Sequence, residues 1–223
     1  MVNIVFIGAP GSGKGTQSAL LAEKLGIPNI STGDILRKEV ANKSNVGELA
    51  KSYMDSGRLV PDHVMVDIIK KRIADSDCDD GFILDGFPRN SDQAVSLDLM
   101  LEGFQKKINI VINIDIDDDV LIKRIAGRFS CVKCGSVYNH FFKNLKSENV
   151  CDKCSSDEFS SRSDDNESTV RKRLEIYNQN TEGLINLYIK KDLIYSVDGL
   201  KNIALISSEI NEAINKVILN ISN

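Results

Sequence analysis

No stretch of this chain approaches the roughly 18 consecutive apolar residues that a membrane helix requires. The N-terminus, Met1-Val2-Asn3-Ile4, has no basic lead and no cleavage signal, so no secretory leader is expected and the protein is expected in the cytoplasm. Basic excess is also missing. Lys and Arg number 28 against 32 Asp and Glu, a formal charge of -4. That balance excludes a bulk cationic surface for nucleic acid but leaves room for a local basic cleft. Histidine is scarce: His63 and His140 are the two, neither lies beside a partner motif, and both are expected at the surface. Internal repeats and low-complexity tracts are lacking, which excludes a solenoid. Cysteine occurs five times, with four in two close pairs and Cys78 alone.

What remains is ordinary for a soluble globular chain, 42% hydrophobic and 27% charged. Its 223 residues suit one sizeable domain with insertions, able to bury an apolar core without disulfides. Short apolar runs alternate with helical patterns. Strands are expected at Val2 to Ile7, Gly81 to Leu84, Ile108 to Ile114, Leu193 to Val197 and Ile203 to Ile206. Helices are expected at Lys14 to Leu25, from Pro61 at the first helical position to about Ala74, and at Asp117 to Ile125. A long helix carries Val170, Leu174, Tyr177, Leu184 and Tyr188 on one face, and a last one covers Glu209 to Leu219. This order predicts an α/β protein, a parallel sheet flanked by helices on both faces. Two stretches interrupt it. Residues 31–60 read as short helices, and residues 128–164 read as a small inserted domain rich in cysteine and polar residues.

Gly8-Ala9-Pro10-Gly11-Ser12-Gly13-Lys14-Gly15-Thr16 follows the first strand and opens the first helix. Glycines let successive backbone N–H groups turn inward toward phosphate oxygens, and the helix N-terminus adds partial positive charge. Lys14 supplies a full charge. The spacing is that of a phosphate loop. One departure stands out. Gly15 follows the lysine where a magnesium-binding Ser or Thr is usual, and Thr16 comes one position later. The plain alternative is a glycine-rich turn that binds nothing.

Cys131-Val132-Lys133-Cys134 and Cys151-Asp152-Lys153-Cys154 form two knuckles separated by residues 135–150. Two thiolates from each complete a tetrahedral zinc site with no open position, hence a structural one. Two disulfides or four free thiols are the alternatives. The insertion holds too few apolar residues for a core of its own, and metal binding can supply the missing stability.

Further segments resemble the adenylate kinase branch of the nucleoside monophosphate kinases, over residues 1 to about 200. They are Ser31-Thr32-Gly33-Asp34-Ile35-Leu36-Arg37, Gly57-Arg58-Leu59-Val60-Pro61-Asp62, Gly81-Phe82-Ile83-Leu84-Asp85-Gly86-Phe87-Pro88-Arg89 with Gln93, Arg124-Ile125-Ala126-Gly127-Arg128, and Arg162-Ser163-Asp164-Asp165 with Arg171-Lys172-Arg173-Leu174. The cysteine pairs are similar to those of zinc-bearing lids in bacterial-type members. The resemblance implies a phosphate-loop NTPase fold. Its core would span residues 1–30, 61–127 and 165–223, with an AMP-binding insertion at 31–60 and a zinc-binding lid at 128–164. It also implies a monomer that binds ATP, AMP and ADP, with Mg2+ and structural zinc, and neither nucleic acid nor membrane.

By the same resemblance, Pro10, Gly11, Ser12, Gly13, Lys14, Gly15 and Thr16 hold the ATP phosphates. Arg128, Val137, Tyr138 and Lys201 also contact the donor. AMP is held by Thr32, Arg37, Arg58, Leu59, Val60, Gly86, Phe87, Pro88, Arg89, Gln93, Arg162 and Arg173. Lys14, Arg89, Arg124, Arg128, Arg162 and Arg173 stabilise the transferred group. Asp34 and Asp85 organise the waters of magnesium, although Asp34 could instead cap a helix and Asp85 end a turn. Asp164 and Asp165 steer the lid arginines. A kinase for CMP or UMP, and a nucleotide-dependent zinc-ribbon binder of nucleic acid, remain alternatives.

Overall fold

β-branched and aromatic residues dominate the runs that pair into the central sheet. The computed structural model describes residues 1–162 and 164–222, with the backbone alone for Asp119, Ile221 and Ser222. Ser163, within one of the lid segments, lies outside the described residues. Strands β1 (Val2–Gly8), β2 (Asn29–Ser31), β3 (Gly81–Asp85), β4 (Ile110–Asp115) and β8 (Ile194–Asp198) lie in the order β2-β3-β1-β4-β8. Every pairing among them is parallel. Parallel strands need long crossovers, and helices supply them: α1 (Lys14–Leu25), α4 (Asp62–Ile73), α5 (Ser91–Gly103), α6 (Asp118–Ala126) and α7 (Glu167–Lys190), while α8 (Ile203–Ser222) follows the last strand.

Side chains of a strand alternate between its two faces, so the sheet builds two cores. Val5, Ile7, Leu84 and Val111 pack with Met65, Ile69, Leu97, Leu101, Leu184 and Tyr188 of α4, α5 and α7. Ile4, Phe6, Ile83 and Ile112 pack with Leu21 of α1 and with Ile206, Ile210 and Ile214 of α8. Each fully buried aliphatic side chain contributes about 1.5–3 kcal/mol. Both faces are therefore covered, as the sequence pattern predicts.

Helix starts are written locally. Ser31 accepts from the Asp34 N–H, Asn90 from the Gln93 N–H and Asn166 from the Thr169 N–H. Ser31, not Asp34, is thus the cap of α2 (Thr32–Ala41). α2 and α3 (Asn45–Asp55) fill the first interruption.

Two expectations are corrected. Ile203 to Ile206 is the first turn of α8, not a strand. Asn202 Oδ1 accepts from the Leu205 N–H at 2.9 Å, and the buried set Ile206, Ile210, Ala213 and Ile214 has helical spacing. Pro61 stands at the N-cap of α4 with ψ 138°, one position before the helical turn it was expected to open. Strand β2 and helix α5 carried no sequence signal that set them apart. β2 is three residues long and owes its conformation to β3, with which it pairs.

The second interruption folds as an antiparallel sheet of β5 (Arg128–Cys131), β6 (Val137–Asn139) and β7 (Phe159–Ser160), ordered β6-β5-β7. Its buried centre is Phe129, Cys131, Tyr138 and Cys151. Among the described residues no helix is long and apolar enough to cross a membrane.

Candidate active site and metal centre

The site begins where β1 ends. In open parallel sheets, ligands bind beyond the carboxyl ends of the strands, near the point where strand order reverses. β1 is flanked by β3 and β4 there, and α1 starts six residues after β1 ends. Gly13 is the N-cap of α1, in the left-handed region with φ 96°, and offers no side chain to satisfy the first N–H groups. The first turn of α1 has no acidic residue. A helix end of this kind leaves its donors to an anion. The register Phe6↔Asp85 brings the end of β3 alongside. A Cβ added to Gly15 would stand 3.2 Å from Asp85 Oδ2. The residue that departs from the usual loop pattern is thus the one facing this carboxylate.

A cleft of about 900 Å3 opens over this loop. Among the described residues, its wall carries seven basic side chains, Lys14, Arg37, Arg58, Arg89, Arg128, Arg162 and Arg173, against two acidic ones, Asp85 and Asp164. Pro10, Gly11, Leu59, Val60, Gly86, Phe87 and Gln93 also line it. Pro88 lines an adjoining cavity of about 600 Å3 that shares Lys14, Gly86, Arg89 and Arg173 with the cleft.

Charge crowding leaves its mark. Desolvation in the cleft pushes the Lys14 ammonium down to about 8, with Arg89, Arg173 and Arg128 adding to the fall and Asp85 opposing it. Desolvation, then neighbouring Arg173, draws Arg89 down to about 10, and desolvation with Arg128 does the same for Arg162. Burial raises the Asp85 carboxyl, against the pull of Lys14. Asp85 Oδ1 is buried without a hydrogen-bond partner. Such a wall carries more cations than anions and fits a polyanion.

Ion pairs hold several of these cations in place. Arg37 Nη2 meets Asp34 Oδ1 at 2.5 Å, with Arg162 Nη2 at 3.7 Å from the same oxygen. Arg128 Nε donates to Asp165 Oδ2 at 2.7 Å, and Arg173 Nη1 to Asp164 Oδ2 at 2.7 Å. Arg89 Nε donates to Gly86 O at 2.8 Å. Thr32 is buried, and its hydroxyl donates to Gly86 O at 3.0 Å. Gly86 has φ 85°, and a Cβ there would meet Thr32 Oγ1 at 2.8 Å, so glycine is required twice over. Arg58 leans on Tyr53, its guanidinium 4.7 Å from the ring centroid.

Other expected site residues stand apart from the cleft wall. Arg124 Nη2 donates to Gly199 O at 3.0 Å, and its guanidinium lies 5.2 Å from the Phe142 ring centroid. It therefore sits beside the loop carrying Lys201, not with Arg89, Arg128, Arg162 and Arg173, the other four arginines expected to stabilise the transferred group. Lys201 is paired with Glu209 at 2.6 Å. Val137 is on β6, and Tyr138 turns its side chain into the centre of the small sheet. Ser12, Gly13 and Thr16 belong to the loop and first turn without lining the cleft. His63 and His140 are exposed, and Cys78 is wholly buried in the core. Sequence reasoning missed Asn90, Asp62 and Phe142. The first two meet across 28 residues, at Asn90 Nδ2 to Asp62 Oδ2 3.1 Å, a pairing no local motif encodes.

The four sulfur atoms of Cys131, Cys134, Cys151 and Cys154 lie within 4.8 Å of one another. Two Sγ pairs, Cys131 with Cys154 and Cys134 with Cys151, are 3.5 Å apart. A disulfide would need about 2.05 Å. A tetrahedral ion with thiolate bonds of about 2.3 Å would separate its sulfurs by about 3.8 Å. The four cysteines form no disulfide in this arrangement, and the cluster can hold a metal ion. The Tyr138 hydroxyl lies 3.3 Å from Cys151 Sγ and accepts from the Asp152 N–H at 2.9 Å.

Comparison with known proteins agrees with this geometry. The family model for adenylate kinase matches residues 6–193. An adenylate kinase of Archaeoglobus fulgidus is 49% identical over 216 residues, 97% of this chain and 99% of the relative. One of Thermodesulfovibrio yellowstonii is 50% identical over 202 residues, 91% and 94% of the two chains. One of Enterococcus faecalis is 43% identical over 215 residues, 96% and 100%. Matched over most of its length and aligned nearly end to end with these relatives, the chain belongs to the adenylate kinase family.

Proposed function

We propose that this enzyme transfers a phosphoryl group reversibly from ATP to AMP, giving two ADP. The observation that carries the reading is the cleft over the loop at Lys14, with seven basic side chains against two acidic ones. Two polyanions repel each other, and catalysis of phosphoryl transfer is mainly positioning and charge stabilisation. Arginine suits this work, since its planar fork grips phosphate through two hydrogen bonds and stays charged. No general base is needed, because the acceptor is a phosphate oxygen already anionic near neutral pH.

In this reading the loop amides and Lys14 hold the donor phosphates. Thr32, Arg37, Arg58 to Val60, Gly86 to Arg89 and Gln93 hold AMP. Arg89, Arg128, Arg162 and Arg173 meet the transferred group. Arg124, beside Gly199 and under Phe142, serves the donor base instead of the phosphates. Residues 31–60 form the AMP-binding insertion and 128–164 the lid, on a core of 1–30, 61–127 and 165–223. Lid closure carries Arg128 inward and excludes water, the competing nucleophile. The enzyme works as a cytoplasmic monomer.

Magnesium bound with ATP supplies charge neutralisation of the phosphates. Asp85 fits its water shell, because its buried Oδ1 lacks a partner. Asp34 would join it only by sharing its carboxylate with Arg37. Zinc is the ion proposed for the four cysteines, where it closes the lid's small core. It has a structural role, since four thiolates fill a tetrahedral shell.

A coupled assay for ADP formation tests the reaction. ADP should form from ATP only when AMP is supplied, CMP and UMP should be poor acceptors, and Lys14→Ala should remove turnover with the fold intact. AMP-independent ADP release, or near-normal turnover in Lys14→Ala, refutes the assignment.

A further inference from the structure

We propose that Asp62 determines acceptor specificity: its carboxylate locks the Gln93 side-chain amide in one orientation, so the cleft takes a 6-amino purine monophosphate and rejects a 6-oxo one. The inference deepens the proposed function, since it rests on Gln93 reading the acceptor base.

Gln93 is buried, 1% exposed, at the start of α5, and it lines the cleft. Its Nε2 donates to Asp62 Oδ1 at 2.6 Å, and its Oε1 accepts from the Arg89 N–H at 2.8 Å. Asp62, the first residue of α4, is itself steadied by Asn90 Nδ2 at 3.1 Å. A backbone N–H can only donate, and an ionised carboxylate can only accept. One orientation of the Gln93 amide satisfies both neighbours. The flipped one would set NH2 against N–H and oxygen against carboxylate, at a side chain that is buried.

The lock leaves each end of the amide one function to offer a ligand: a lone pair on Oε1 and an N–H on Nε2. Their order is fixed, with the acceptor on the Arg89 side and the donor on the Asp62 side. A glutamine amide pairs with adenine by accepting from its 6-amino group while donating to an adjacent ring nitrogen. A 6-oxo purine reverses the pattern at position 6, with an acceptor where adenine has a donor. A free amide rotates to match either base. A locked amide matches one and opposes the other, and mismatched buried polar groups are what give a hydrogen-bonding site strong discrimination. The same network links base reading to phosphate binding, because the Arg89 backbone is one wall of the lock and its side chain lines the cleft.

The test is Asp62→Asn, which keeps the shape but substitutes a group that can donate or accept. Acceptor selectivity is measured as the ratio of kcat/KM for AMP to that for IMP. The Arg89 N–H remains, so the lock weakens without disappearing, and the ratio is expected to fall roughly tenfold. A role confined to stability would lower both kcat/KM values together and leave the ratio unmoved. A ratio within about twofold of wild type overturns the proposal. If D62N fails to fold, NMR of the wild type decides: a Gln93 Nε2 proton shifted downfield and protected from solvent exchange supports its bond to Asp62, and a pair at free-amide shifts exchanging as fast as free glutamine overturns it. Wild-type AMP-dependent ADP formation with an unmoved D62N ratio sinks the lock alone. A wild type that ignores AMP sinks the reaction as well.

Discussion

Replacing Lys14 with methionine should stabilise the nucleotide-free protein while removing its activity. The ammonium lies in a cleft shared with six arginines, and its proton affinity falls from an ordinary lysine's 10.5 to about 8. At about 1.36 kcal/mol per pKa unit, that fall corresponds to about 3 kcal/mol as the ceiling on what the charge costs the folded state. The sign follows from proton counting. Below pH 8 the lysine is charged in both states and the full cost is present. Between 8 and 10.5 the folded chain has released a proton that the unfolded chain still holds, so stability rises with pH across that window. Above 10.5 the cost is gone. Methionine removes it at every pH. At roughly 2–4 °C per kcal/mol for a chain of this size, K14M should melt up to about 6–12 °C higher than wild type at pH 7. The gap should close as pH climbs past 10. Calorimetry without nucleotide or phosphate, with zinc retained, measures it. K14M melting at or below the wild-type temperature at pH 7 would show that the cationic wall carries no strain, and the account of a cleft awaiting anions would fall.

Removing the metal should matter more for the lid than for the sheet. Elemental analysis is expected to give about one zinc per chain. A chelator should lower the melting temperature and raise KM for ATP, since the lid core is otherwise four buried side chains, two of them cysteines. A metal-free protein with unchanged melting would count against the site. Gly86→Ala should cost about 1–2 kcal/mol by urea denaturation from its positive φ alone, and should raise KM for AMP through the contact at Thr32. Ile210→Ala should cost about 2–5 kcal/mol, as expected for a 1% exposed isoleucine against the sheet. A loss under about 0.5 kcal/mol would contradict the packing of α8.

Local chemistry made much of this legible. The β-branched runs of β1 and β4, and the apolar stripe of α7, each report burial through a period the chain cannot hide. The glycine loop at residues 8–16 and the paired cysteines are read from spacing because neighbours on the chain do the work. Ile203 to Ile206 misled because four apolar-rich residues fit a strand or a helix turn equally, and only the burial of Ile206, Ile210 and Ile214 on one face decides. β2 was silent because three residues carry no period.

By itself, then, the sequence determined the phosphate loop, the alternation that makes a parallel sheet, and four thiols spaced for one ion. Tertiary structure decided which cations share a space. It turned Arg124 toward Gly199 and Phe142, gathered Arg37, Arg89, Arg128, Arg162 and Arg173 around Lys14, and joined Asp62 to Gln93 across the gap between two helices. The physical reason is range. Backbone propensity and capping act within a few residues, whereas electrostatic and hydrogen-bond partners are chosen by distance in space, which exists only once the sheet has set its strands side by side.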